Sequence, residues 1–471
     1  MRGAAWLAWA ALAPLVACGG GDGAPHDGRP NLILLLTDDQ RYDTLACNGQ
    51  ELIQTPNIDR LAAEGARFTR AYVTTSLCCP ARATLYTGLY ANAHGVRNNE
   101  DQVDFLREHP GFPELLQGAG YATGFFGKWH IHNPGAAPQP GFDRWVSFEG
   151  QGQYEDELFT LDDERRRIPG FNTDVLFGLA LQWLSVERTA PFLCVVSLKN
   201  LHRPYLVPER HRAALTQASF PEPDSFHDDP AGYPAFIQRA RTTLRNRFFD
   251  EGGSHEDNLR GYHAMVLSVD DNVGRLLAAL DEGGLTEDTA VVLTSDGGFM
   301  WGEHGLYRKR TAYEESVRVP LIMRFPREIP AGLEVDQLAL GVDLMPTFLE
   351  WAGVTPPGLQ HGVSLRPLWM EDSPPWREEF LYIDGWGKFF DGPQELALIG
   401  ERYKLVRYRR GVIEEALFDR KTDPQERTNR VGEADLAGVL AGMRAGLADG
   451  IAEIGAPASW LEAAPAPDEG D

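Results

Sequence analysis

The sequence predicts an α/β protein with a large mixed, mostly parallel sheet sandwiched by helices, and a small C-terminal antiparallel sheet and helix. Continuous apolar runs such as NLILLL (31–36) and TAVVLT (289–294) are typical of parallel strands buried on both faces. Helical patterns lie between these runs, and this alternation indicates a sheet covered on both sides. Short, turn-separated segments follow residue 370 and predict the smaller sheet.

The elements of the large sheet follow one another along the first three quarters of the chain. Strands are predicted at 31–36, 191–200, 289–294 and 319–325, and helices at 55–65, 80–86, 257–284 and 343–354. The first helix has the clearest end signals. Thr55 suits the N-cap, Pro56 suits the first helical position and Gly65 suits the stop.

The C-terminal part has a different pattern. Antiparallel strands are predicted at 379–384, 395–400, 403–409 and 414–420, and a helix is predicted near 434–453. We therefore predict three units: a main α/β domain over 31–370, a C-terminal subdomain over 371–460 and a disordered tail over 461–471.

Length and charge limit the classes of function. A chain of 471 residues is long enough to bury a sizeable core. Its formal net charge of −24 argues against broad binding to nucleic acid or to an anionic lipid surface. A small positively charged pocket is compatible with this overall charge.

The N-terminal residues predict export. One arginine precedes an apolar run over 4–17, which is shorter than the roughly 20 residues that a membrane span needs and has the pattern of a secretory signal. The ending LVAC resembles a bacterial lipobox, which implies cleavage before Cys18 and lipid attachment to its sulfur. We interpret 1–18 as a lipoprotein signal peptide and 19–30 as a linker. Plain secretion is the alternative, and in both cases the mature protein works outside the cytoplasm, in the periplasm or at the cell surface.

Acidic residues follow two of the buried strands. Asp38 and Asp39 come directly after the first strand, and Asp296 follows the strand at 289–294. Ligands of open α/β sheets bind beyond the carboxyl ends of the strands, so we expect these carboxylates to lie side by side. Three such groups repel one another unless a cation lies between them, and calcium or magnesium prefers oxygen ligands. The sequence therefore predicts a divalent-cation site.

The segment SLCCPARATLYTG (76–88) predicts a helix start that favours anions. Pro80 suits the first helical position, so Cys78 would lie at the N-terminal edge, where backbone N–H groups and the helix dipole attract negative charge. Arg82 adds a fixed positive charge one turn into the helix. A metal and this helix start together would hold a tetrahedral oxyanion.

These motifs together resemble the type I, formylglycine-dependent sulfatase family of the alkaline phosphatase superfamily. CCPARATLYTG resembles the family signature of Cys, any residue, Pro, any residue and Arg, then Thr-Gly, and this spacing selects Cys78 rather than Cys79. RPNLILLLTDDQR resembles the metal-binding start of the family, and EALFDRKTDPQERTN resembles its C-terminal signature. The motifs GKWH, LHRP and SDGG…RKR supply further matching positions, which are Lys128, His130, His202, Asp296 and Lys309.

The resemblance implies a modified nucleophile. A separate maturation enzyme would convert Cys78 to formylglycine, whose aldehyde hydrates to a geminal diol. One hydroxyl attacks the sulfur of a sulfate ester and the alcohol leaves. The other hydroxyl then loses its proton, the hemiacetal collapses and inorganic sulfate departs. In this interpretation Cys79 is a packed neighbour.

The resemblance also implies roles for the remaining residues. The cation, calcium foremost and magnesium as the alternative, would be held by Asp38, Asp39, Asp296 and the modified Cys78. Arg82 and Lys128 would steady the diol and offset charge. His130 would be the base for the elimination step. Lys309 and His202 would hold the departing sulfate and protonate the bridging oxygen.

One position departs from the family pattern. Relatives commonly have Asp-His or Asp-Asn where this chain has Asp296-Gly297, and glycine offers no side-chain ligand. Either another group fills this position, or metal binding is weaker, the metal preference is altered or the enzyme is degenerate.

Three functions are compatible with these observations. The first is a sulfatase acting on a sulfated small molecule or saccharide, since the Cys-Cys-Pro form of the signature is similar to that of relatives acting on sulfated sugars. The second is a phosphonate or phosphate ester hydrolase of the same superfamily. The third is an inactive glycan-binding lipoprotein, for which Gly297 is the sequence support.

Overall fold

The centre of the structure is a ten-stranded sheet that combines parallel and antiparallel strands. The computed structural model describes residues 28–131, 136–241, 254–370, 375–385 and 394–463. The predictions for the signal peptide, for Cys18, for most of the linker and for most of the tail concern residues outside these ranges. Among the described residues, no helix is both long enough and apolar enough to cross a membrane.

The strands are numbered along the chain. They are β1 (Asn31–Thr37), β2 (Ala66–Phe68), β3 (Ala71–Tyr72), β4 (Ala122–Gly127), β5 (Arg144–Ser147), β6 (Leu158–Leu161), β7 (Glu164–Arg167), β8 (Phe192–Ser197), β9 (Thr289–Ser295), β10 (Met300–Trp301), β11 (Tyr307–Arg308), β12 (Leu321–Arg324), β13 (Leu333–Val335), β14 (Ala339–Leu340), β15 (Glu379–Asp384), β16 (Glu395–Gly400), β17 (Tyr403–Arg410) and β18 (Val412–Asp419). The large sheet has the order β13-β2-β12-β9-β1-β8-β4-β5-β6-β7.

The α-helices are numbered in the same way. They are α1 (Pro56–Ala63), α2 (Cys78–Thr87), α3 (Ala91–His94), α4 (Phe105–Glu108), α5 (Phe112–Gly118), α6 (Asn172–Leu184), α7 (His255–Glu282), α8 (Glu314–Val317), α9 (Leu344–Trp351) and α10 (Ala437–Glu453). Short 3-10 helices lie at Tyr42–Thr44, Ala46–Asn48, Glu209–His211, Asp224–His227, Pro230–Gly232, Glu303–Gly305, Gly341–Asp343, Arg366–Trp369, Ala434–Leu436 and Ala458–Leu461.

The central strands separate two hydrophobic cores. Successive side chains of a strand point to opposite faces, so Ile33 and Leu35 pack in one core, while Leu32, Leu34 and Leu36 pack in the other. Helices α1, α6 and α7 cover the first face, and α2, α5 and α9 cover the second. Every residue of β1 and of β9 is buried, as the continuous apolar runs predict.

The C-terminal part forms its own layer. Strands β15 to β18 form a four-stranded antiparallel sheet in sequence order. Helix α10 packs on this sheet through Leu440, Met443, Leu447 and Ile451. The buried Lys404 of β17 donates a hydrogen bond of 2.7 Å to the Ala312 carbonyl oxygen and so ties this sheet to the main domain.

The predicted fold class is confirmed, and two of the predicted elements need correction. The strand predicted within 319–325 is β12, which runs antiparallel to both β9 and β2 rather than parallel. Helix α2 begins at Cys78, so Pro80 is its third residue and not its first. Proline is tolerated there because the first N–H groups of a helix have no partner within the helix.

The sequence does not predict every element boundary or every strand. The helix predicted at 257–284 begins at His255, because the Ser254 side chain caps it by accepting a hydrogen bond from the Asp257 N–H. Strands β4 to β7 are not predicted. Strand β7 has the sequence ERRR and is fully exposed, and its antiparallel pairing with β6 defines it as a strand.

Candidate active site

The register of the two central strands brings three carboxylates together. Strands β1 and β9 are parallel with Thr37 opposite Ser295, so Asp38, Asp39 and Asp296 follow the strands at the same edge of the sheet. The Asp39 N–H donates a hydrogen bond of 3.2 Å to Asp296 Oδ1. Asp39 has a φ of 58°, a left-handed conformation that non-glycine residues adopt mostly where the surrounding structure imposes it.

Helix α2 adds Cys78 to these carboxylates. The Cys78 side chain is buried, and its Sγ lies 3.4 Å from Asp38 Oδ1 and 2.9 Å from Lys309 Nζ. One possible ligand atom from each of Asp38, Asp39, Cys78 and Asp296 lies within 4.8 Å of the others. We call these four residues the acidic cluster. The surroundings of Cys78 are therefore charged, not apolar.

The donor atoms of the acidic cluster fit a divalent cation. Three carboxylates supply the hard oxygen ligands that calcium and magnesium prefer. Gly297 adds no side chain, and its carbonyl oxygen accepts a hydrogen bond of 2.9 Å from Ser295 Oγ. The cluster can therefore hold such an ion through Asp38, Asp39 and Asp296, with the residue at position 78 beside it.

Three positively charged side chains offset the carboxylates. Each forms an ion pair with a different one: Arg82 with Asp296, Lys128 with Asp38 and Lys309 with Asp39. The side chains of Arg82 and Lys128 are completely buried, whereas that of Lys309 is 10% exposed. Lys309 is thus the one of these three cations that reaches solvent.

Close packing of two strands positions Arg82 and Lys128. Strands β4 and β8 are parallel with Gly127 opposite Ser197. Gly127 has a φ of 131°, and a Cβ atom there would lie 1.7 Å from the Ser197 carbonyl oxygen. Arg82 Nη1 donates hydrogen bonds of 2.7 Å to the Lys128 carbonyl oxygen and to Ser197 Oγ. Glycine at position 127 is therefore required for this arrangement.

Burial and neighbouring charges shift the pKa values of the aspartates in opposite directions. Burial favours a higher pKa for Asp38, but the positive charges around it, that of Lys128 foremost, hold its pKa well below the usual range. Burial raises the pKa of Asp39 to about 7. The positive charge of Lys309 lowers this pKa, whereas the negative charges of Asp38 and Asp296 raise it. The cluster therefore contains one firmly ionised carboxylate and one that titrates near neutral pH.

The thiol of Cys78 is unreactive in this environment. Burial, helped by the negative charge of Asp38, raises its pKa to about 12. The thiolate is the nucleophilic form of cysteine, so the side chain stays protonated and weakly nucleophilic at neutral pH. The geometry suits chemistry at position 78, but the unmodified thiol does not.

Two histidines lie partly exposed beside the cluster. His130 Nδ1 is 3.4 Å from Cys79 Sγ, and its Nε2 is 3.2 Å from the side-chain nitrogen of Gln151. His202 Nδ1 donates a hydrogen bond of 2.9 Å to the Arg203 carbonyl oxygen. Burial lowers the pKa of both rings, to about 3 for His202. Burial therefore favours the neutral form of both rings.

The structure gathers the predicted site residues in one place. These are Asp38, Asp39, Cys78, Arg82, Lys128, His130, His202, Asp296 and Lys309. Cys18 lies outside the described residues. Sequence reasoning missed Gln151 and Ser197, which contact Lys128 and Arg82. The available signals were weak: a glutamine between two glycines, and a polar residue at the end of an apolar strand.

The fold and the acidic cluster define a hydrolase of the alkaline phosphatase superfamily. The family model described as Sulfatase matches residues 30–354. A second model, described as N-sulphoglucosamine sulphohydrolase, C-terminal, matches residues 302–453. It begins well before residue 371, so the predicted boundary between the two domains stays a prediction.

Relatives and solved structures agree with this assignment. The N-acetylglucosamine-6-O-sulfatase of Bacteroides thetaiotaomicron is 33% identical over 87% of this chain and 84% of its own length. A protein solved in complex with its substrate D-glucosamine-2-N,6-O-disulfate superposes with a TM-score of 0.81 at 31% identity, over 91% of this chain and 98% of that one. The phosphonate monoester hydrolase of Agrobacterium radiobacter superposes with a TM-score of 0.76 at 25% identity, over 90% and 96% of the two chains.

The chain belongs to the sulfatase family, and it is a sulfuric ester hydrolase. Membership in this family implies a metal ion and a formylglycine, and the acidic cluster offers a place for both.

Proposed function

We propose that this sulfatase acts on sulfated carbohydrates, and that its substrates carry a 6-O-sulfate on a glucosamine unit. The observation that carries the catalytic part is the position of Cys78 among three aspartates at the start of a helix. The sugar is inferred from similarity to the N-acetylglucosamine-6-O-sulfatase and to the protein solved with a glucosamine disulfate. Terminal sugar sulfates or short oligosaccharides suit a chain with a net charge of −24 better than a long polyanion does.

The acidic cluster would hold a divalent cation, with calcium as the first choice and magnesium as the second. Cys78 would be converted to formylglycine by a separate maturation enzyme. When bound, the cation and the hydrated aldehyde supply a polarised sulfate oxygen and an activated hydroxyl nucleophile.

The buried cations would keep the ligands in place. Arg82 Nε donates a hydrogen bond of 2.6 Å to Asp296 Oδ2, and Lys128 contacts Asp38. Neither side chain reaches solvent, so their contribution is to fix the carboxylates and to offset charge around position 78. Lys309, which is partly exposed, would contact the sulfate group directly.

The two histidines would move protons. His130 would accept a proton at Nε2 as sulfate is released. His202 donates its Nδ1–H to a backbone carbonyl, so Nε2 is its other site for a proton. The ring is neutral without substrate, and an anionic sulfate beside it would favour the protonated form that can donate to the bridging oxygen.

Sulfate release from defined sugars tests the proposal. The matured protein should release inorganic sulfate from N-acetylglucosamine 6-sulfate and from D-glucosamine-2-N,6-O-disulfate, measured by ion chromatography. A Cys78→Ala variant is the matched control and should release none. An aryl phosphonate monoester serves as the competing substrate, since a phosphonate hydrolase shares this fold. Faster turnover of the phosphonate than of every sulfate ester would contradict the proposal.

Two further measurements test maturation and export. Mass spectrometry of the tryptic peptide 71–82 should show an aldehyde at position 78 when the protein is made with the maturation enzyme. In a bacterial host, the full chain should fractionate with membranes through a lipid on Cys18, and a Cys18→Ala variant should lose the lipid. An unmodified thiol in active protein would refute the formylglycine assignment, and an unlipidated wild type would refute the anchor.

A further inference from the structure

We propose that Cys79 and Gln151 hold His130 in one tautomer, with the proton on Nδ1 and the lone pair on Nε2. Both would be positioning residues, one for each ring nitrogen. The catalytic meaning of this arrangement rests on the proposed role of His130 as a base, in which Nε2 gives up the Gln151 hydrogen bond when it accepts the proton. The second cysteine of the signature, interpreted from sequence as packing, would then have a task of its own.

The orientation of the Gln151 amide follows from its contact with Lys128. Lys128 Nζ lies 2.6 Å from Gln151 Oε1, and an ammonium group can only donate hydrogen bonds. The amide oxygen therefore faces the lysine, and the amide nitrogen faces His130 Nε2 at 3.2 Å. Because an amide nitrogen donates only, His130 Nε2 must accept.

The tautomer of His130 follows in turn. A neutral imidazole has a single N–H, so the proton lies on Nδ1 when Nε2 accepts. Nδ1 is 3.4 Å from Cys79 Sγ, which can accept this hydrogen bond. The same sulfur is 3.4 Å from the His130 carbonyl oxygen, to which its S–H donates. Cys79 is almost fully buried, so its sulfur contacts the histidine without competition from water.

The backbone fixes both partners of the ring. His130 has a φ of 67°, in the left-handed region that non-glycine residues seldom adopt. Gln151 lies between Gly150 and Gly152, whose φ values of 60° and 64° form a turn open to few other residues. Cys79 is held by its own N–H, which donates a hydrogen bond of 3.1 Å to Asn99 Oδ1. These backbone conformations and this hydrogen bond hold the ring and its two partners in fixed positions.

A spectroscopic test reads the tautomer without any need for catalysis. In protein labelled with ¹⁵N-histidine and carrying the unmodified Cys78, the His130 ring should show a protonated Nδ1 and an unprotonated Nε2. The signal is assigned by its loss in a His130→Gln variant. A Gln151→Glu variant replaces the donor by an acceptor of the same shape, so His130 Nε2 should become protonated. A wild-type ring protonated on Nε2, or a ring unchanged in Gln151→Glu, would overturn the proposal.

Kinetics of three cysteine variants separate positioning from packing. Cys79→Ala removes the acceptor for Nδ1–H and should lower kcat about tenfold, the worth of one hydrogen bond, with KM changed less than about twofold. Cys79→Ser keeps an acceptor and should recover kcat to within about threefold of the wild type. Cys194→Ala deletes an equally buried sulfur in β8 and should leave kcat unchanged while lowering the melting temperature.

The outcomes distinguish this inference from the proposed function. Formylglycine content, measured on the peptide 71–82, must match across variants, so that a change in kcat reports the folded site. If the kcat of Cys79→Ala falls no further than that of Cys194→Ala, the positioning role is wrong. It is also wrong if the kcat of Cys79→Ser is no higher than that of Cys79→Ala. If the wild type lacks sulfatase activity but shows the expected ring signals, the proposed function fails and the hydrogen-bonding inference stands.

Discussion

Removal of divalent cations should lower the thermal stability of this protein, because the acidic cluster exists in the folded state alone. Asp38, Asp39 and Asp296 present ligand atoms within 4.8 Å of one another, with no more than 2% of any of these residues exposed. Without a cation, the carboxylates depend on nearby ammonium and guanidinium groups for compensation. Lys309, which is 10% exposed, provides this compensation for Asp39.

The expected shift of the melting temperature follows from the linkage between cation binding and unfolding. A ligand that binds only the folded state adds about 2.7 kcal/mol to the free energy of unfolding at a hundredfold excess over Kd. Unfolding entropy scales with length, and for a chain of 471 residues it is about 1 kcal/mol per kelvin near the transition. We therefore expect saturating cation to raise the melting temperature by about 3 °C.

Differential scanning calorimetry after treatment with EDTA measures this shift, with calcium and magnesium added separately. The assay belongs above pH 7, because burial raises the pKa of Asp39 to about 7 and a protonated carboxyl is a poor ligand. Asp39→Asn should lose most of the shift. Asp43→Asn, which removes an exposed acid four residues further on, is the matched control and should respond like the wild type. Equal melting temperatures with and without cation, or a full response in Asp39→Asn, would refute the reasoning.

Three further predictions concern single side chains. Gly297→Asn should raise divalent-cation affinity in calorimetric titrations, because a Cβ there would lie 3.9 Å from the backbone of Ser76 and an added carboxamide oxygen can serve as a ligand; unchanged affinity would show that the oxygen does not reach the ion. Arg82→Met should cost about 3–5 kcal/mol in denaturant unfolding, since it leaves the buried Asp296 carboxylate without its partner, and a loss below about 1 kcal/mol would contradict this. Burial raises the pKa of Glu395 to about 8, so its protonated form favours folding most at low pH, and this advantage disappears as pH rises through 8. The stability of the wild type relative to Glu395→Gln should therefore fall by up to about 1.4 kcal/mol per pH unit between 4.5 and 8, and parallel pH profiles would rule this out.

Strands buried on both faces could be predicted because a continuous apolar run indicates that both faces of the strand are buried. Strands β1 and β9 have continuous apolar sequences, and each is followed directly by acidic residues that the sheet brings together. Strand β7 shows the opposite case. Its four charged residues give no apolar pattern, and its extended conformation depends on hydrogen bonds to β6, which a reading of local sequence does not detect.

The candidate site could be predicted only as far as strand ends and motifs define it. Strand ends identify the aspartates, and the motif identifies Cys78. The contacts of Gln151 and Cys79 depend on a turn and a helix that are far apart in sequence and meet at one histidine ring. Neither residue type indicates such a role by itself, since a single glutamine between glycines is typical of a surface turn. Packing, and not spacing, creates this part of the site.

The charge balance of the site explains why its cation and its substrate should bind together. Three carboxylates and three positively charged side chains cancel formally, so the site without ligands has little attraction for an anion. A divalent cation adds two positive charges beside Cys78 in a buried environment, where charges interact strongly. An anionic sulfate ester that binds next to it restores the balance. Binding of the cation would therefore add local positive charge that favours anionic esters in a protein with a net charge of −24.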